Sequence, residues 1–170
     1  MAFFLKELSI AIGLLTSDHS PVANADGWKD YVWRIRPVDQ CIAKDKRGFC
    51  RIVDDKWDWK RDQHYSFAFH MDPKSNTLTG NLSLDNRDPT DDDFVCVVAI
   101  FADKNDDEVA VLYQNWHSLH GRSIERDVPV RPSLPVSSIV KVAVGSKQCD
   151  VHASPDAANF YRTRLQLNQR

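Results

Sequence analysis

Two stretches of the chain concentrate hard oxygen ligands. Asp103-Lys104-Asn105-Asp106-Asp107 sets them at alternate positions, and Asp85, Asp88, Asp91, Asp92 and Asp93 crowd the segment 85–93. Calcium takes about six to eight oxygens converging on one point. Asp85, Asp88, Asp91, Asp103, Asn105 and Asp107 are therefore the candidate Ca²⁺ ligands, provided the two loops meet at one end of the fold. The second loop is not an EF-hand: Glu108 stands where the glycine belongs, and Gln114 where the bidentate glutamate belongs. The competing reading is a pair of solvated turns whose charges keep hairpin ends soluble.

Histidine chemistry is limited by reach. His64 and His70 share one face of a strand but stand about 20 Å apart, too far to bind one ion. His117 and His120 are close enough to act together, with His152 or Asp150 as a third ligand. Ser118 adjoins His117 without a Gly-x-Ser-x-Gly elbow, and the chain carries neither a phosphate loop nor a dinucleotide fingerprint. Glycoside cleavage needs two acids held across a cleft, and among so many aspartates no pair stands out. No catalytic residue is nominated.

Aromatic residues point to binding instead. Trp57 and Trp59 lie two apart among charges, beside Lys60 and Arg61. On a strand the two rings share one face, and flat rings with polar edges suit both sugar faces and protein contacts. The alternative is that they bury themselves in the core, as Trp33 is expected to do. Asn81-Leu82-Ser83 fits an N-glycosylation acceptor on the outward face of its strand, relevant only to a eukaryotic secretory pathway.

The four cysteines, Cys41, Cys50, Cys96 and Cys149, are an even set, as an oxidising compartment favours. Cys41 and Cys50 bracket a short loop with a polar tip, Lys44-Asp45-Lys46-Arg47-Gly48, while Cys96 and Cys149 sit on or beside apolar strands. The expected bridges are therefore Cys41–Cys50 and Cys96–Cys149. A four-cysteine zinc site would draw on closely spaced cysteine pairs, which the chain lacks.

Residues 1–25 have the layout of a secretory signal peptide: Lys6, the apolar run Leu8–Leu15, then Ala23-Asn24-Ala25 as a cleavage site. Glu7 and the polar gap from Thr16 to Val22 are off pattern, so cleavage after Ser17 is an alternative, and a retained amphipathic helix another. The apolar run is too short to span a bilayer, so no stable membrane anchor is expected. A net charge of −2, with Lys44–Arg47 and Lys60–Arg61 each interrupted or flanked by aspartate, argues against nucleic acid as a partner.

The elements that must position these residues are strands. Phe94–Ala102 is an unbroken apolar run, joined through Asp103–Asp107 to Val109–Tyr113, and reads as a central hairpin with both faces of its first strand buried. Tyr31–Arg36, His64–Met71, Thr77–Leu84 and Tyr161–Leu167 alternate, with Tyr65, Phe67, Phe69 and Met71 inward in the second of them. Ser138–Val144 is β-branched on both faces, and Pro155 opens one helical turn over Asp156–Asn159. Pro129, Pro132 and Pro135 make anything extended between them an edge strand or crossover.

Eight or nine short strands without long helical patterns predict an all-β, antiparallel two-sheet β-sandwich, jelly-roll or Ig-like, over residues 26–170 as one domain. The function expected is a secreted or periplasmic disulfide-bonded module that recognises a protein or a glycan and needs no cofactor beyond the calcium considered above. A small extracellular hydrolase with a metal or carboxylate site is the alternative. Protein isolated from its native host should show an intact mass lacking the first 17 to 25 residues; a full-length mass would exclude cleavage.

Overall fold

The structure, a computed structural model, describes residues 32–58 and 62–149, the side chains of 56–58 excepted. The leader 1–25, the turn at 155–159 and the strand at 161–167 lie outside the described residues. Nine strands follow one another: β1 (Val32–Pro37), β2 (Ala43–Lys44), β3 (Cys50–Asp58), β4 (Gln63–Asp72), β5 (Thr77–Asn86), β6 (Asp93–Ala102), β7 (Glu108–Ser118), β8 (Arg122–Val130) and β9 (Lys141–Gln148). They form two antiparallel sheets, one ordered β1-β9-β6-β7 and the other β2-β3-β4-β5-β8. This is the two-sheet sandwich that the alternation predicts.

Two expectations shift. The strand expected from Ser138 begins only at Lys141, because Val136–Ser138 is a single 3₁₀ turn. There the Ser138 hydroxyl and N–H both donate to the Pro135 carbonyl, at 2.7 and 2.9 Å. The hairpin Phe94–Tyr113 is central only through β6; β7 stands last in its sheet among the described strands.

β6 explains why the fold has two apolar layers. Its alternate residues Val95, Val97, Ala99 and Phe101 face the other sheet and pack with Phe67, Phe69, Leu78, Leu82 and Leu84 in the main core. Phe101 meets Phe69 edge-on at 5.5 Å between ring centroids. The remaining set, Cys96, Val98 and Ile100, turns the other way and clusters with Trp33 and Ala143 on the outer face of the four-stranded sheet. A strand without polar residues has no solvated face to offer, so both faces must be covered.

Glycine permits two close approaches. Trp33 pairs directly with Gly145, and a Cβ at that glycine would lie 2.8–2.9 Å from three ring atoms of Trp33. Between the sheets, Gly80 lets Leu112 Cδ1 come within 2.4 Å of where its Cβ would be.

Both expected disulfides are formed, Cys41–Cys50 and Cys96–Cys149. They close loops of sequence separation 9 and 53. In the chain-entropy view these are worth about 3 and about 4 kcal/mol against the unfolded state.

The two long sides of the sandwich are closed differently. On one, Arg34 of β1 reaches across to Asp55 of β3 at 2.7 Å, and the buried Tyr65 phenol hydrogen-bonds Ser146. Burial pushes the Tyr65 phenol up, against the lowering effect of that hydrogen bond. On the other, the Arg126 guanidinium of β8 lies over the Trp116 ring of β7, 5.0 Å from its centroid.

Gly145→Ala should destabilise the protein by about 1–3 kcal/mol, since Trp33 is walled in and cannot yield without disturbing the outer cluster. Urea unfolding measures it; an unchanged midpoint would show that Trp33 moves freely.

Candidate recognition surface

The nominated binding segment, Trp57, Trp59, Lys60 and Arg61, falls at the hairpin joining β3 to β4. Pairing along this hairpin runs from Cys50–Phe69 to Asp58–Gln63, with register shifts at Arg51/Val53 and Lys56/Asp58. Trp57 sits at the second shift, where the ladder carries one extra residue and the strand turns more sharply. Its side chain, and all of Trp59, Lys60 and Arg61, lie outside the described residues. Beside the turn, His64 Nε2 and Asp62 Oδ1 are 2.8 Å apart, and Arg34–Asp55 ties this end of β3 to the opposite sheet.

The expected calcium ligands are not brought together. Asp85, Asp88 and Asp91 precede β6, whereas Asp103, Asn105 and Asp107 follow it. Ten residues of extended chain hold the two loops about 30 Å apart, so one ion cannot draw on both.

The carboxylates serve their own turns or bond a neighbouring strand. Asp103 Oδ1 accepts from the N–H groups of Asn105 and Asp107, both at 2.8 Å. Asp88 Oδ1 accepts from Thr90 N, Thr90 Oγ1 and Asp91 N at 2.9–3.1 Å. Asp85 takes the Ser123 hydroxyl and Arg87 Nε, each at 2.6 Å. Asp106 pairs with Lys141. Among the described residues no three His, Cys, Asp or Glu side chains converge as metal ligands.

His117 and His120 do share a neighbour, though not one the sequence suggested. Asp92 Oδ1 accepts the His120 backbone N–H at 2.6 Å and lies 2.6 Å from its Nδ1, while His117 Nε2 is 3.7 Å from Oδ2. His117 also stacks on Phe94, 4.6 Å between ring centroids. Ser118 is buried on the side of β7 opposite to His117, so the two adjacent residues do not form a nucleophile and base.

Asn81 of the glycosylation motif is nearly buried, and its amide donates to Glu125 and Asp127 at 2.9 and 2.7 Å. Arg47, at the tip of the Cys41–Cys50 loop, bonds the same two carboxylates at 3.3 and 3.1 Å. The disulfide loop thereby clips across the outer face of the five-stranded sheet onto β8.

β8, which contains Pro129, is an edge strand, one of the two readings the prolines allow. Its alternation was visible: Arg122, Ile124, Arg126 and Val128 on one side, Ser123, Glu125, Asp127 and Pro129 on the other.

Fold and bridges together define a disulfide-bonded β-sandwich, a build that belongs to oxidising compartments. No protein-family model matches the chain, and no curated protein is significantly similar to it.

Several turn carboxylates are held below their ordinary value of 3.8: Asp92 by the His120 backbone N–H and then its ring, Asp85 chiefly by the Ser123 hydroxyl, and Asp72 chiefly by the Ser75 hydroxyl. Their stabilising effect is complete above 3.8 and is lost as pH falls through the lower folded-state values. The urea midpoint should therefore fall once the pH drops below about 4, and Asp85→Asn with Asp92→Asn should flatten that fall. An acid limb unchanged in the double variant would place the titration elsewhere.

Proposed function

We propose that the protein is a secreted or periplasmic interaction module that recognises a protein partner through the tip of the β3–β4 hairpin, with Trp57, Trp59, Lys60 and Arg61 as contact residues. The observation that supports this reading is the segment's place in the chain, at the connection between β3 and β4, close to where Arg34–Asp55 ties β3 to the opposite sheet. Rings displayed from a braced hairpin lose little freedom on binding, which favours affinity. Alternating aspartate, lysine and arginine around two tryptophans supply the polar rim that surrounds aromatic anchors at protein contacts. The compartment is supported by the two disulfides. Among the described residues no helix is long and apolar enough to cross a membrane.

Replacing Trp57 and Trp59 together by alanine should leave the melting temperature nearly unchanged. The same change should abolish capture of the partner by the oxidised protein from its native surroundings. Buried rings would instead cost on the order of 3 kcal/mol or more each, and the variant would unfold. Elution of the captured material by free sugar would transfer the surface to a glycan.

A further inference from the structure

We infer that the outer edge of β8 is a second docking surface, which takes an extended acidic peptide of a protein partner as an added strand. This rests on the reading of the protein as a module for a protein partner, but uses a different face. β8 is last in its sheet, bonded only to β5. Among the described residues none of its backbone groups has a partner outside that ladder. In an antiparallel edge strand, alternate residues aim N–H and C=O away from the sheet, and a row with that repeat is matched by another extended polypeptide. Pro129 limits the usable edge to residues 122–128.

The side chains specify the occupant. Ile124 and Val128 pack against the main core, so Arg122 and Arg126, in phase with them, face the same seam between β8 and β7. Arg34, Arg47, Arg51 and Arg87 each hold a carboxylate. Arg126 is exposed, holds none among the described residues and lies on the Trp116 ring. An exposed guanidinium braced on a ring and holding no carboxylate of its own is well placed to take one from an incoming chain.

Arg122 repeats the charge four residues away, about 13 Å along the strand, with Ile124 midway. The complementary strand has acidic residues four apart and an aliphatic residue between them, since opposite charges across a strand pair stabilise and like charges repel. The other face of β8 is already committed, Glu125 and Asp127 being pinned by Arg47 and Asn81, so the edge is held in place before anything binds.

The test uses the full oxidised protein and a labelled peptide with glutamates four residues apart, valine midway and threonines at the alternate positions. The wild type should bind it, with hydrogen-exchange protection confined to residues 122–128, and affinity should fall as salt rises. Arg126→Glu should weaken binding at least tenfold and bind the lysine counterpart of the peptide better than the wild type does. Arg126→Gln, a milder change, should also weaken the glutamate peptide and serves if the charge reversal fails to fold.

No binding at millimolar peptide, indifference to Arg126, or protection elsewhere would overturn the inference. So would preference for an oligouronate over the peptide, or self-association of the protein through this edge. Loss of partner capture in the Trp57/Trp59 double variant, with peptide binding absent throughout, would sink this inference and leave the hairpin reading standing.

Discussion

The sandwich depends on covering both faces of β6. Val95, Val97, Ala99 and Phe101 on one side, and Cys96, Val98 and Ile100 on the other, are all almost inaccessible to solvent. At roughly 25 cal/mol per Å² of apolar surface, a strand buried on both faces contributes more than any ion pair in the molecule. The rest follows from that demand. The five-stranded sheet supplies the inner cover, and Trp33, folded down onto Gly145, supplies part of the outer one. The Cys96–Cys149 bridge leaves β6 on this outer side, where Tyr113 Oη lies 3.0 Å from Cys96 Sγ.

Once two sheets are stacked, their long sides have to be closed, and here the molecule is asymmetric. The β1/β3 side is sealed by an arginine that has found a carboxylate and a tyrosine that has found a hydroxyl. On the β7/β8 side an arginine lies on the face of an indole and, among the described residues, holds no carboxylate. A cation on an aromatic face excludes water from the ring yet keeps the guanidinium's donors open. One side is thus held by paired groups, and the other leaves an exposed guanidinium at its seam.

The aspartates illustrate how local chemistry absorbs residues that look like ligands. A carboxylate one or two positions before a turn finds backbone N–H groups at once, and each such bond is available before any long-range contact forms. Asp88 and Asp103 each cap their own turn in this way. Clusters of acid in a chain of short strands therefore report turns first, and convergence on an ion only if the turns are neighbours.

The sequence alone determined the layers. Alternation in His64–Met71 and Thr77–Leu84 and its absence in Phe94–Ala102 depend on each strand's own periodicity, which is a local property, and they marked which strands face one core and which face two. The pairing of Cys41 with Cys50 was equally legible, because a short loop between cysteines leaves few other partners. Tertiary structure alone decided what lies opposite what. The separation of the two acidic loops by the full length of β6, the Asp92 carboxylate between His117 and His120, and Arg126 on Trp116 all join residues across different strands or sheets. Those contacts are set by strand order and stacking, which one chain's periodicity leaves open, so the surfaces of this protein became readable only once the sheets were assembled.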